Sequence, residues 1–202
     1  MIVYVESNFL LEVALEQEQS SSAETILKLA ESNKIELVFP SFALSEPFTT
    51  TMHRNKERAD LHQALTVALR QLQRSEPHKQ TILDLQPLLI ILRDAVNREF
   101  DLLHSTLARL LKVGKSIELD EFSLRQALIY QGQFDLKPQD SIIYSTLITD
   151  MQRRPLTEAK CFLSRDKEAF STNPAIKSEL ASYNCRYIGS FAHGLDFIQH
   201  TL

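Results

Sequence analysis

The chain begins with a β-branched and aromatic run, Ile2 to Val5, that stops at the polar triplet Glu6-Ser7-Asn8 and passes at once into a helical pattern. Phe9, Leu10, Val13 and Ala14 recur at helical spacing, and Ser20-Ser21-Ser22-Ala23-Glu24 opens a second helix carrying Ile26, Leu27, Leu29 and Ala30. A second strand pattern follows at Ile35 to Phe39. Strand, helix, helix, strand with short connections implies an α/β fold on a parallel sheet, because parallel neighbours need a crossover and crossovers are usually helical. Functional groups then gather at the carboxyl ends of the strands.

Pro40-Ser41 ends the second strand, and a helix begins near Phe42 with Glu46 in its first turns. From about 51 to 116 the pattern is helical with no strand signal. Leu61, Leu65, Ala68, Leu69 and Leu72 form one apolar stripe, and Leu85, Leu89, Leu92, Val96, Leu103, Leu107 and Leu110 form another. Ser75-Glu76-Pro77-His78 separates them, which predicts an antiparallel helical hairpin suited to core or dimer packing ahead of substrate contact. Pro87 sits near the start of the second helix or kinks it. Beyond Gly114 the spacing predicts a helix from Asp120 to Tyr130, another from Ser141 to Met151 after Lys137-Pro138-Gln139-Asp140, and a strand from Ala159 to Leu163. Ser164-Arg165-Asp166 ends that strand; a helix at Pro174 to Tyr183, a strand at Arg186 to Ile188 and a helix from Ser190 complete the chain. We expect one domain over residues 1–202, with the hairpin inserted at about 51–116.

Composition excludes several chemistries. Only 4 of 202 residues are glycine, against about 7% in average usage, and no two are spaced for a phosphate loop or a dinucleotide fingerprint. A net charge of −4 leaves any polyanion site to a local patch. Cys161 and Cys185 form no CxxC, and His53, His62, His193 and His200 lack ligand spacing, so no zinc site is expected. Cysteine usage and the absence of a readable secretory signal suit a reducing cytoplasm. The apolar run Leu88 to Leu92 is far short of the roughly 20 residues that cross a bilayer, so no membrane association is expected.

Four carboxylates stand at corners of the expected fold: Glu6 after the first strand, Glu46 in the helix after the second, Asp140 at a helix start, and Asp166 after the third. Converging at one sheet edge, they would repel unless cations neutralised them, and hard oxygen ligands suit Mg²⁺ or Mn²⁺. Taken singly, Glu46 and Asp140 are also ordinary helix N-terminal acids. Glu6 is harder to explain that way, since a buried carboxyl without partner or proton is costly.

In these blocks the sequence resembles the PIN-domain nucleases. VYVESNFLLE is similar to that family's opening strand, FPSFALSEP to its second, KPQDSIIYSTLI to its third acidic block, and CFLSRDKEAF to its closing Ser/Thr-x-Asp element, all in the family's order. The resemblance covers roughly residues 1–50 and 117–190. It implies a three-layer α/β sandwich with a central, mainly parallel sheet, here carrying an extended helical hairpin in place of a short clip often used in dimerisation. It also implies metal-dependent endoribonuclease activity, as a toxin or RNA-processing enzyme. Glu6, Asp140 and Asp166 would ligate Mg²⁺ or Mn²⁺, and Glu46 would ligate or orient a water. Ser7, Asn8 and Ser164 would hold those carboxylates. Arg165 and Lys167, flanking the last acid, would touch RNA phosphate. Arg54, Lys56 and Arg58 form the basic patch nearest Glu46 in sequence and are expected to track RNA phosphate. A homodimer and a protein inhibitor or antitoxin are the expected partners. Glu6 departs from the family's usual Asp; its extra methylene moves the carboxylate by more than about 1 Å, a shift to which catalytic geometry is sensitive. That leaves a second reading open, a noncatalytic RNA- or protein-binding module with a degraded site, and a third, cleavage of DNA flaps.

Overall fold

The computed structural model describes residues 1–202, the side chain of His78 excepted. Strand β1 (Ile2–Val5) leads through α1 (Ser7–Ala14) and α2 (Ser20–Glu31) to β2 (Glu36–Pro40). A 3-10 turn at Ser41–Leu44 opens α3 (Ser45–Leu72), which pairs with α4 (Lys79–Val113), and the chain returns as β3 (Lys115–Ile117). Helices α5 (Glu121–Phe134) and α6 (Pro138–Gln152) precede β4 (Lys160–Leu163); α7 (Lys167–Phe170) and α8 (Pro174–Ser182) precede β5 (Cys185–Ile188), and α9 (Phe191–Thr201) ends the chain. The strands form one sheet in the order β3-β2-β1-β4-β5 with every pairing parallel.

β1 lies at the centre and is buried along its whole length, which is why it reads as an unbroken apolar run. Its side chains alternate between faces. Val3 and Val5 join Leu37, Phe39, Cys161 and Leu163 in a core with α1, α2, α4 and α9. Ile2 and Tyr4 join Val38 and Phe162 in a second core with α5, α6 and α8. The result is the expected three-layer α/β sandwich.

Two short elements differ from the sequence expectation. β3 straddles the end of the stretch read as strandless: its Lys-Ser-Ile has two exposed residues and one buried, so an edge strand of this kind shows no apolar run. α7 spans only four residues, too few for a helical period to register. The hairpin forms as expected, with Asn55 Nδ2 donating to the Val96 carbonyl at 3.1 Å and Arg58 paired with Glu99. Its apolar stripe is used unevenly: Leu103 and Leu110 are buried in the sheet core, Leu89, Leu92, Val96 and Leu107 are half-buried, and Leu85 nearer the turn is exposed, as are Leu88, Ile90 and Ile91 beside the stripe. Pro87 lies within α4. Among the described residues no helix is long and apolar enough to cross a membrane.

Gly114 is where α4 hands over to β3. A Cβ there would lie 2.8 Å from Phe39 Cε1 and 2.9 Å from the Leu110 carbonyl oxygen. Phe39 is buried, so neither neighbour yields without moving the sheet or the helix end. Gly114→Ala is expected to destabilise the fold by about 1–3 kcal/mol through overpacking, a fall of roughly 3–10 °C in Tm. An unchanged melting curve would contradict this.

Candidate active site

From central β1 the chain builds β2 and β3 on one side and β4 and β5 on the other. The crevice beyond the carboxyl ends of β1 and β4 is therefore the switch point at which open α/β sheets take ligands. Register pairs Val5 with Leu163, so Glu6 and Ser164 emerge side by side at that edge.

Glu6 caps α1: its Oε2 accepts from the Asn8 amide at 3.0 Å and from Ser7 Oγ at 2.6 Å. Its Oε1 is buried with no hydrogen-bond partner among the described residues. Ser7 Oγ also lies 2.5 Å from Glu46 Oε2. Burial pushes the Glu6 carboxyl upward, against the opposing hydrogen bonds from Ser7, Asn8 and Ser164.

Glu46, in the first turn of α3, also accepts from Gln139 Nε2 at 2.9 Å. Asp140 lies in the first turn of α6, behind Pro138. Its carboxyl is pushed up to about 6, first by burial and then by Asp166, with Lys137 opposing and Glu46 adding to the rise. Asp166 caps α7, accepting from the Ala169 amide at 2.9 Å, while its own amide donates to Ser164 Oγ at 3.0 Å. Tyr187 Oη reaches the carbonyls of Ser164 and Asp166 at 3.0 and 3.2 Å.

Glu6, Glu46, Asp140 and Asp166 line one cavity of about 450 Å³, together with Ser7, Asn8, Lys137 and Gln139. Four carboxylates face one lysine there, and the orphaned Glu6 oxygen adds an unsatisfied acceptor. That donor chemistry fits a hard divalent cation. The side chains are not gathered into a ligand set: among the described residues no group of three or more His, Cys, Asp or Glu is disposed to hold a metal ion.

The basic residues separate. Arg54 lines an adjoining hollow of about 880 Å³ that shares Asn8 and Asp166 with the cavity. Lys56 is exposed and lines neither. Arg58, expected at phosphate, is instead bound to Glu99 across the hairpin. Arg165 is committed in the same way: its Nη1 lies 2.6 Å from Glu12 Oε2 and 2.9 Å from Glu18 Oε2. Glu12 is buried and also accepts from the Gln19 amide. Lys167 is exposed beside Asp166. Four contributors go beyond the sequence expectation: Gln139, Lys137, Glu12 and Tyr187. The first two adjoin Asp140 in KPQD, and Glu12 is a lone acid in the apolar pattern of α1. Nothing local marks Tyr187.

The sequence model of one family, described as PIN domain, matches residues 3–170. No curated protein matches the chain. Among solved structures, the crystal structure of VapBC2 from Rickettsia felis bound to a DNA fragment from their promoter superposes with a TM-score of 0.46 at 11% identity, covering 93% of this chain and 98% of that one.

Proposed function

This chain belongs to the PIN-domain family, and from that premise we propose that it is a metal-dependent endoribonuclease, working as a toxin or RNA-processing enzyme in the cytoplasm. The unit is residues 1–202 as one domain with the hairpin inserted, and its partners are RNA, a second copy of the chain and an inhibitor or antitoxin protein. One observation carries the reading: carboxylates from four separate segments line one cavity at the sheet's switch point.

Glu6, Asp140 and Asp166 would hold Mg²⁺ or Mn²⁺. A divalent cation bound there supplies charge neutralisation for the scissile phosphate and lowers the pKa of a water. Glu46 would orient a water and serve as the base for it, or join the ligands, and its own direction is set by Ser7 and Gln139. The amide of Asn8 and the Ser7 hydroxyl fix the Glu6 carboxyl. Ser164 and Tyr187 fix the turn that carries Asp166.

Purified protein should cleave single-stranded or structured RNA with Mn²⁺ or Mg²⁺ and lose that activity in EDTA; parallel DNA and flap substrates settle the nucleic acid. Absence of metal-dependent cleavage would leave the noncatalytic binding module. Ser7→Ala is expected to weaken Mn²⁺ binding roughly 10–100-fold, the usual effect of removing a group that orients a ligand. Calorimetric titration with Mn²⁺ measures it, and an unchanged affinity would remove Ser7 from the site.

A further inference from the structure

On the far side of the Ser164–Lys167 turn lies a hollow of a different character. It has a volume of about 680 Å³ and is lined by Arg165, Lys167 and His193 with Gln19, Ser171 and Ser190; no carboxylate lines it. Arg165 is already held by Glu12 and Glu18. Lys167 and His193 have no acidic partner among the described ion pairs, and both are exposed. The amides at the start of α9 are not on offer, because Gln19 Oε1 accepts from Phe191 N at 2.7 Å and Ala192 N at 3.3 Å. Positive charge in this hollow therefore comes from side chains. The Lys167 stem lies over Gly189, where a Cβ would come within 3.6 Å of its Cε.

Position gives the hollow its meaning. Asp166 lines the carboxylate cavity and Lys167 lines the basic hollow, and consecutive Cα atoms are about 3.8 Å apart. We propose that this hollow is a binding subsite for a backbone phosphate of the RNA strand, one or two nucleotides from the phosphate at the carboxylate cavity, held by Lys167 and His193. The assignment rests on the reading of that cavity as a phosphodiester-cleaving centre. The two hollows divide the work: the acidic one needs cations to accept a phosphate, and the basic one accepts a phosphate directly and so sets the register of the strand.

The test measures binding of a fluorescein-labelled 12-nucleotide oligouridylate by anisotropy in Mg²⁺, with Asp140→Asn present throughout to keep the strand intact, and follows cleavage in parallel with Asp140 restored. Lys167→Glu is expected to lower affinity at least tenfold. Lys167→Gln and His193→Ala should each lower it severalfold, and Lys167→Gln should also flatten the dependence of log affinity on log salt by about one ion. Mn²⁺ affinity of the proteins with Asp140 intact should stay within twofold. Unchanged affinity and salt slope in all three variants would overturn the subsite, even with cleavage intact. Inorganic phosphate binding as tightly as the 12-mer would also overturn it, assigning the hollow to a free anion. Weakened binding in a protein that never cleaves would uphold the phosphate subsite and refute the cleavage reading alone.

Discussion

Asp140→Asn is expected to abolish metal-dependent RNA cleavage while making the metal-free protein more stable. The carboxyl of Asp140 is pushed up to about 6 by burial, by Asp166 and by Glu46, against the pull of Lys137. A folded-state pKa above the unfolded value near 3.8 means that the folded protein holds the proton more tightly. Stability conferred by that proton is fully present below about pH 4 and is lost as the pH rises through about 6. A shift of that size corresponds to about 3 kcal/mol; Asp140 is only half-buried, and solvent screening reduces the figure to about 1 kcal/mol. Asparagine removes the charge, so the metal-free variant should melt roughly 2–4 °C above wild type at pH 7.5 and level with it near pH 4. Divalent cation reverses the order. Wild type should gain about 2.7 kcal/mol at a hundred times Kd, and the variant should gain little. Cleavage should fall at least about a hundredfold, beyond what losing a supporting contact costs. Melting curves with and without Mn²⁺ at the two pH values, alongside RNA cleavage, read all three effects. A variant that cleaves normally would overturn the assignment of Asp140.

Arg165→Ala is expected to act through stability first. Its guanidinium meets Glu12, whose side chain is 1% exposed, at 2.6 Å, and Glu18, which is 79% exposed, at 2.9 Å. The contact to Glu18 is a surface pair of little value. The contact to Glu12 is different, because removing the arginine leaves a buried carboxylate with the Gln19 amide as its remaining donor. Breaking a buried pair costs about 3–5 kcal/mol; Arg165 is 35% exposed, so water reaches the gap and about 2–3 kcal/mol is the better figure. Tm should fall by roughly 5–10 °C, and Glu12→Gln added to Arg165→Ala should recover part of the loss. Calorimetry on the four proteins of that cycle gives the coupling. A variant with wild-type Tm and weakened RNA binding would return Arg165 to the phosphate.

Legibility follows from how local each cause is. β1, β2 and β4 are readable because strands covered on both faces are continuous apolar runs. β3 is unreadable because a three-residue edge strand is specified by its partner Val38–Pro40, not by its own side chains. Lys160 shows the same limit: a charged strand residue suggests solvent, yet it is buried and its Nζ donates to the carbonyls of Pro155, Glu158 and Tyr183 at 2.6, 2.9 and 3.2 Å. Glu6, Glu46, Asp140 and Asp166 are legible because each stands at a strand end or helix start. Their supports are less so. Tyr187 acts from a neighbouring strand, and Arg165, next to Asp166 in sequence, takes its partner 153 residues away.

The hairpin also bears on how the sheet assembles. β2 pairs with β3 across residues 41–114, and closing a flexible loop of that length costs about 4 kcal/mol in chain entropy. Zipping of α3 against α4 from the turn at Glu76–His78 would be a sequence of short-range steps. Once zipped, they bring Ser45 and Gly114 to the same end, and β3 meets β2 as a near neighbour. By that route the long excursion between the two strands would be kinetically short, and contact order, which correlates with folding speed, would overstate the distance the chain must search.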